Sequence, residues 1–538
     1  MTIRYGTIAA PQPEAAEAGL DILIAGGNAV DAALACAFVQ GVIDPMMCGL
    51  AGFGSMAVYT PEGSSLDYID FHSPAPINAT PSMWQHLIEG EARDGYGFTL
   101  KGQVNDIGYQ SICVPAALKA YEAAHRNYGK LPWADIIAPA VHWASSGWVV
   151  RPHVYAFWSD PGQMGRVANH ERISFTPAAR NLYCRADGTP KRVGDQVVNG
   201  ALADVLREIS KQGADVFYTG TIAALIDADM RHNGGLLSKD DLAGYRPKTN
   251  KPLWSEYRGY RIASNQPPGG GLMLIEMLNI LEHFDLSTIE HNSAAYIKLV
   301  TEVMKIATVD KDHFVADPDF VSVPVERLTS KSYAKDIAAA IAMGKRTTVA
   351  RFNPAAPSKD TTQITVVDAD GNCVSMTHSL GMPSGVVTDG LGFMYNGCMG
   401  AFDPRPARAG SIAPGKARFS SICPSFILKD GEPYLVIGAP GATQIAMGVL
   451  QVVLNVLDFG MLVQKAISCP RFSSTSNAID VSNRIPRSVT NTLENDGYQV
   501  VRNPSSYAGF ALVHAISKID GVLEGGADPG GDGVVLSR

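Results

Sequence analysis

A hairpin signal at residues 361–379 constrains this chain more than any other feature. Thr361-Thr-Gln-Ile-Thr-Val-Val367 is dense in β-branched residues, which fit a pleated strand. Asp368-Ala-Asp-Gly-Asn372 is a turn signal, and Cys373-Val-Ser-Met-Thr-His-Ser379 reads as the returning strand. A turn symmetric about Asp370 sets Thr361 opposite Ser379. A bulge would shift the register by one residue and send every side chain to the other face. A polar, proline-bearing stretch, 351–360, precedes the hairpin and divides a helix-rich portion from a strand-rich one. The chain is therefore expected to be α+β, with residues 1–360 and 361–538 as its two portions.

In the first portion, apolar periodicity predicts helix over 14–42, broken at Ala25-Gly-Gly-Asn28. Further helices are expected over 116–147, 202–212 and 271–281, the last introduced by Gly269-Gly-Gly271. The loop Gly49-Leu-Ala-Gly-Phe-Gly54 feeds a strand at 55–59. With 538 residues, 46% apolar and 18% charged, the chain has ample material for a large core. A net charge of −8 and the lack of any Lys or Arg run argue against nucleic acid or an anionic membrane as partner. The uncharged stretch 433–457 contains Pro440, Gln444, Gln451 and Asn455 and reads as strand, loop and buried helix, not a bilayer span. The first residues lack the basic start, apolar stretch and cleavage site of a signal peptide. Eight cysteines stand far apart with no C-x-x-C pair. Both observations point to free thiols in a reducing cytoplasm. The histidines form no H-E-x-x-H, and the glycine loops lack the lysine of a phosphate cradle, so neither a metal nor any other cofactor is expected.

The junction Asp360-Thr361 carries the chemical interest. Attack by a threonine hydroxyl on its own preceding carbonyl gives an ester, and hydrolysis of that ester releases a new N-terminal threonine. The freed α-amine, with an ordinary pKa of about 7.7–8.0, can take the hydroxyl proton near neutral pH. Branching at Cβ restricts χ1 and steadies the oxygen, and Ser379 opposite could orient it. Two threonines at a strand head are ordinarily plain β-structure, so the junction alone does not establish chemistry.

Motifs along the whole chain change that balance. The first portion holds Ala25-Gly-Gly-Asn-Ala-Val-Asp-Ala-Ala33, the loop Gly49 to Gly54, Val114-Pro115, Tyr128-Gly-Lys-Leu-Pro-Trp133 and Ala138-Pro-Ala140. It continues with Val216-Phe-Tyr-Thr-Gly220, Asn233-Gly-Gly-Leu-Leu237, Asp240-Asp-Leu242 and Pro267-Pro-Gly-Gly-Gly271. The second holds Thr361 to Asp368, Ser420-Ser-Ile-Cys-Pro-Ser425, Gly438-Ala-Pro-Gly-Ala442 and Asp528-Pro529. In this order, and nearly end to end, the chain resembles the γ-glutamyltransferase family of N-terminal-nucleophile hydrolases. The resemblance implies a four-layer αββα sandwich, autoproteolysis between Asp360 and Thr361, and large and small fragments that stay associated. It also implies Thr361 as nucleophile and Ser379 as its supporting hydroxyl. Gly441 and Ala442 match the glycine pair whose N–H groups form the oxyanion hole, and alanine keeps its N–H. Ser420 and Ser421 match the serines that hold a substrate carboxylate.

The departures from that pattern bear on substrate. The family's carboxylate-binding arginine, in an Asp-Phe-Arg segment, is here His72 in Asp70-Phe-His72. The Gln and Asp that grip the α-amino group align with Cys398 and Ala401, and an asparagine two residues after the supporting hydroxyl is Gly381. An ammonium would lack its counter-charge, and removing one partner of a buried pair costs about 3–5 kcal/mol. Poor binding of γ-glutamyl compounds is expected. His72 and Arg418 are the candidates for a rebuilt pocket, against a space-filling histidine and a surface arginine. Arg418 stands two residues before Ser420 and could hold a carboxylate bidentately. Cys398 reads as an inert small filler, and Asp403 as a solvent-facing turn residue and not a substitute acid.

The expected activity is hydrolysis of a small amide, oxamate-like or another small acyl amide, through a threonyl ester. A γ-glutamyl hydrolase or transferase acting on glutathione-like compounds is the second reading. An unprocessed binding protein is the third, opposed by an intact Thr361 and its supporting hydroxyl. A homodimer of processed units is left open.

Overall fold

The computed structural model describes residues 4–92, 97–162, 165–350, 361–507, 509–519 and 521–538. Asp360, the expected cleavage position, lies outside the described residues. Two antiparallel sheets form the centre. The first runs Val534–Ser537, Gly6–Ala10, Thr362–Asp368, Cys373–Ser379, Phe53–Thr60, Ser65–Phe71, Lys248–Asn250. The second runs Val522–Ala527, His514–Ile519, Glu432–Gly438, Ser425–Lys429, Tyr260–Ser264, Leu253–Tyr257. Their facing sides share a core of Ala9, Tyr59, Tyr68, Val367, Phe426, Val436 and Ile516. Helices Pro13–Ile24 and Ala29–Ile43 cover the outer face of the first sheet, and Gly271–Leu281 and Ile445–Leu457 that of the second. The result is an αββα sandwich.

Strands from either side of residue 360 interleave in both sheets. The hairpin sits between Gly6–Ala10 and Phe53–Thr60, and Tyr260–Ser264 pairs with Ser425–Lys429. A cut before Thr361 would therefore leave two fragments sharing one core, neither with a complete sheet of its own.

Local sequence explains the joints. At Ala25-Gly-Gly-Asn28, Gly26 adopts a positive φ, and Asn28 and Asp31 form a reciprocal capping box that starts the next helix. Asp31 also accepts from the N–H groups of Lys130 and Leu131. That tie, with Pro132 behind it, splits the helix expected over 116–147 into Ala117–Tyr128 and Trp133–Ser146. Gly52 is needed for close approach, because a Cβ there would lie 2.5 Å from the Ser379 carbonyl oxygen. Among the described residues, no helix is long and apolar enough to cross a membrane, and no group of three or more His, Cys, Asp or Glu could hold a metal ion.

Candidate active site

The hairpin register pairs Thr362 with His378 and Val367 with Cys373 without a bulge, so it is symmetric about Asp370. One step further, Thr361 stands across from Ser379 and donates its hydroxyl to Ser379 Oγ at 3.1 Å. Ser379 Oγ also accepts the Gly381 N–H at 2.8 Å, so its lone pairs are directed by backbone on one side and by Thr361 on the other. Both side chains are buried.

Thr361 borders a cavity whose wall also includes Ala442, Arg418, Ser420 and Ser421. Gly441 and Ala442 both have positive φ, 142° and 48°. A Cβ on Gly441 would lie 2.5 Å from Ala511 Cα, so only glycine fits. Ala442 bears a left-handed conformation that costs an L-residue about 1–2 kcal/mol. Among the described residues, neither N–H at 441 or 442 is spent on a protein acceptor. Two amides turned out of the usual ladder beside a hydroxyl nucleophile candidate can receive developing negative charge on a carbonyl oxygen.

The serine pair is set by backbone crossings. The Ser420 N–H donates to Pro268 O at 2.8 Å, and the Gly270 N–H donates to Ile422 O at 2.8 Å. A Cβ on Gly270 would sit 2.3 Å from Ser421 O, which accounts for glycine in the 269–271 run. Asn396 supports the lining residue Cys398 and uses all its amide capacity. It accepts from the N–H groups of Cys113 and Cys398 and donates to the carbonyls of Ala51 and Cys113.

Arg418 is only 4% exposed, so the surface alternative does not describe it. Its guanidinium stacks 4.1 Å above the Phe53 ring, a cation–π contact that fixes its plane. Gly381 has a positive φ of 68°, and a Cβ there would crowd Cys398 Sγ at 3.1 Å while meeting an Arg418 terminal nitrogen at an ordinary 3.5 Å. Burial pushes the Cys398 thiol up to about 11, against the opposing pull of Arg418, so the sulfur stays protonated. Arg166, which no sequence pattern singled out, is a second cation on the same wall. It lies 3.4 Å from Asp106, an acid that Arg172 holds more closely at 2.7 Å. Among the described residues, no Asp or Glu lines this cavity.

His72 goes elsewhere. It borders a neighbouring cavity of about 730 Å3 with Asp70, Lys248, Pro268 and Ala417. Among the described residues both ring nitrogens lack hydrogen-bond partners, and Asp70 at 4.0 Å is too distant for one. Burial, then the charges of Arg418 and Lys248, push the imidazole down to about 3. It is neutral near pH 7 and offers no positive charge to a carboxylate. Asp403 also departs from expectation. Its side chain is mostly covered and binds Arg405 at 2.7 Å, in the wall of a cavity of about 570 Å3 that meets the first at Ala401.

An αββα sandwich with a hydroxyl residue heading a central strand, beside paired backbone amides and a cluster of arginine and serine side chains, is the architecture of an N-terminal-nucleophile hydrolase. The chain matches the gamma-glutamyltranspeptidase family model over residues 15–537, and it belongs to that family. It is 35% identical to an Acylase ACY 1 proenzyme of Pseudomonas sp. (strain V22), over 99% of this chain and 93% of the relative. It is 34% identical to the glutathione hydrolase proenzyme of Escherichia coli (strain K12), over 87% of this chain and 81% of the relative. Among solved structures, a cephalosporin acylase from Bacillus halodurans superposes with a TM-score of 0.88 at 30% identity, covering 100% of this chain and 96% of that one. The protein is an enzyme, a self-processing amidohydrolase of this family.

Proposed function

We propose that Thr361 is the nucleophile, freed by cleavage of the Asp360–Thr361 bond, and that the enzyme hydrolyses small acyl amides whose acyl part carries a carboxylate but no ammonium. Self-cleavage is an acyl shift: Thr361 Oγ1 adds to the Asp360 carbonyl carbon, the C–N bond breaks, and water hydrolyses the ester to leave an N-terminal threonine. In turnover, the α-amine accepts the Oγ1 proton as the oxygen adds to the substrate carbonyl. Gly441 and Ala442 N–H groups receive the oxyanion. The leaving amine takes the proton back, and water then hydrolyses the threonyl ester.

The wall of the cavity carries this reading: Arg418 and Arg166 beside Ser420 and Ser421, with no carboxylate among the described lining residues. A carboxylate on the acyl group finds bidentate and hydroxyl partners there. An α-ammonium would be buried among cations. Oxamate and longer dicarboxylic monoamides have the required chemistry, and relatives named as acylases support an acyl amide as substrate. The glutathione hydrolase relatives favour γ-glutamyl hydrolysis as a second reading. Purified protein run on a denaturing gel should give two bands, the smaller beginning at Thr361. Ammonia release from oxamate and from dicarboxylic monoamides should exceed release from a matched γ-glutamyl amide by at least about a hundredfold, the cost of an unpaired buried charge. Equal or faster glutamyl turnover would refute the carboxylate-only acyl site.

A further inference from the structure

The Thr361–Ser379 pair faces the cavity. The next residues along the two strands, Thr362 and His378, face the helix layer, because side chains alternate along a strand. There they enter a buried chain of side-chain hydrogen bonds. Tyr121 Oη meets His378 Nδ1 at 2.6 Å, and His378 Nε2 meets Gln40 Oε1 at 2.7 Å. Gln40 Nε2 donates to Gln12 Oε1 at 2.6 Å and to Thr362 Oγ1 at 3.1 Å. Thr362 Oγ1 donates to Gln12 Oε1 at 3.2 Å, and Gln12 Nε2 donates to Asp44 Oδ2 at 2.9 Å.

The polarity of this chain can be followed from one end. Gln12 Nε2 donates to Oδ2 of Asp44, whose carboxyl is pushed up by burial, and the Gln12 oxygen faces Gln40. The Gln40 nitrogen then points at Gln12, and its oxygen can only accept from His378. His378 therefore carries its proton on Nε2, and Nδ1 accepts from Tyr121. Burial pushes His378 down to about 3, in keeping with one neutral tautomer.

All six side chains are buried, and they come from the start of helix Pro13–Ile24, helix Ala29–Ile43 and its C-cap, helix Ala117–Tyr128 and the two strands. A core can be filled more cheaply with apolar groups than with a polar network. Gln40 stands out on its helix, where the neighbours from Ala32 to Ile43 are apolar, glycine or cysteine. Two consecutive threonines head the strand, and a one-residue slip would present the wrong hydroxyl to the cavity. The network binds the Thr362 hydroxyl on the far face and so distinguishes the two.

Resting on the reading of Thr361 as nucleophile, we propose that Gln40, Thr362 and His378 are positioning residues, locking the strand ends in the register that holds Thr361 Oγ1 against Ser379. Thr362→Val keeps shape and β-branching and removes only the hydroxyl. Expected are a kcat lowered 10- to 100-fold, self-cleavage slowed to a similar degree, and a KM within threefold of the parent. Thr362→Ser should recover kcat to within threefold. Should Thr362→Val yield no folded protein, Gln40→Met is judged by the same numbers. The proposal is overturned by a kcat per folded molecule within threefold of the parent, or by kcat and KM that deteriorate together without recovery in Thr362→Ser. Thr361→Ala separates the two layers. If it stays active or is still cut, the nucleophile reading fails; if it is inert and uncut while Thr362→Val behaves as the parent, only the network fails.

Discussion

The open end of the central hairpin has two polar faces, one residue apart, completed in different ways. On the helix side, Thr362 and His378 belong to a chain in which each link has its donor and acceptor inside the protein. On the cavity side, Thr361 and Ser379 meet across 3.1 Å at the edge of a space lined by Arg418, Ser420, Ser421 and Ala442. Adjacent threonines at one strand head thus differ in what lies beyond them, packed protein on one side and a small cavity of about 30 Å3 on the other. The residue type does not distinguish them; the surroundings do.

The contrast is broken most severely by exchanging the nucleophile candidate itself. Thr361→Ala should leave the chain uncut by mass spectrometry and lower kcat by at least about ten-thousand-fold, the scale of removing a nucleophile. That is at least a hundred times worse than the effect expected on the helix side. Next in size comes the turn that supplies the amides. Gly441→Ala forces a Cβ to within 2.5 Å of Ala511 Cα, and the loop must shift. Loss of an aligned oxyanion donor costs about 100- to 1000-fold in kcat, which single-turnover kinetics on pre-cleaved enzyme would read. Arg418→Met tests the acyl wall. It should raise KM for a dicarboxylic monoamide and lower kcat/KM by about a hundredfold, the scale of truncating a buried charge partner. Hydrolysis of a neutral acyl amide should change little. An equal loss on both substrates would assign Arg418 to structure alone.

Much of this was legible in the chain because it depends on local periodicity. The β-branched run, the Asp-Gly turn and the alternation of 373–379 set the register without reference to anything distant, and the register observed is unbulged. The αββα layering was implied only by the family resemblance that the motifs carry. What stayed hidden depends on approach between distant segments. Phe53 beneath Arg418, Arg166 on the same wall and Gln40 beside His378 are brought together by packing, and nothing near them in sequence announces it. His72 depends on its surroundings in the same way: the sequence offered a carboxylate contact or a space-filling ring, and burial pushes the imidazole down to about 3 beside another cavity. The glycine at 381, legible only as a loss, sits at a positive φ of 68° beside Cys398 and Arg418.

The smallest effect expected concerns His72 and the pH dependence of folding. Its folded pKa is pushed down to about 3, while an exposed histidine titrates near 6.5. Between those values the unfolded chain holds a proton that the folded protein does not. Stability from this residue is therefore present above about pH 6.5 and is lost as pH falls toward 3, at up to about 1.4 kcal/mol per pH unit. Asp70, 4.0 Å away, works in the opposite sense. Burial raises its carboxyl to about 6 against hydrogen bonds from Ser55 and Asn250, so the stability it contributes is lost as pH rises through that value. The two partly cancel in the parent protein. His72→Asn removes one side of the balance, and urea unfolding at pH 6.5, 5.5 and 4.5 should show a shallower loss toward acid by about one proton. Curves that fall in parallel for parent and variant would mean that the folded protein protonates His72 as readily as the unfolded chain does, and that this ring is not the neutral, desolvated group bordering the second cavity.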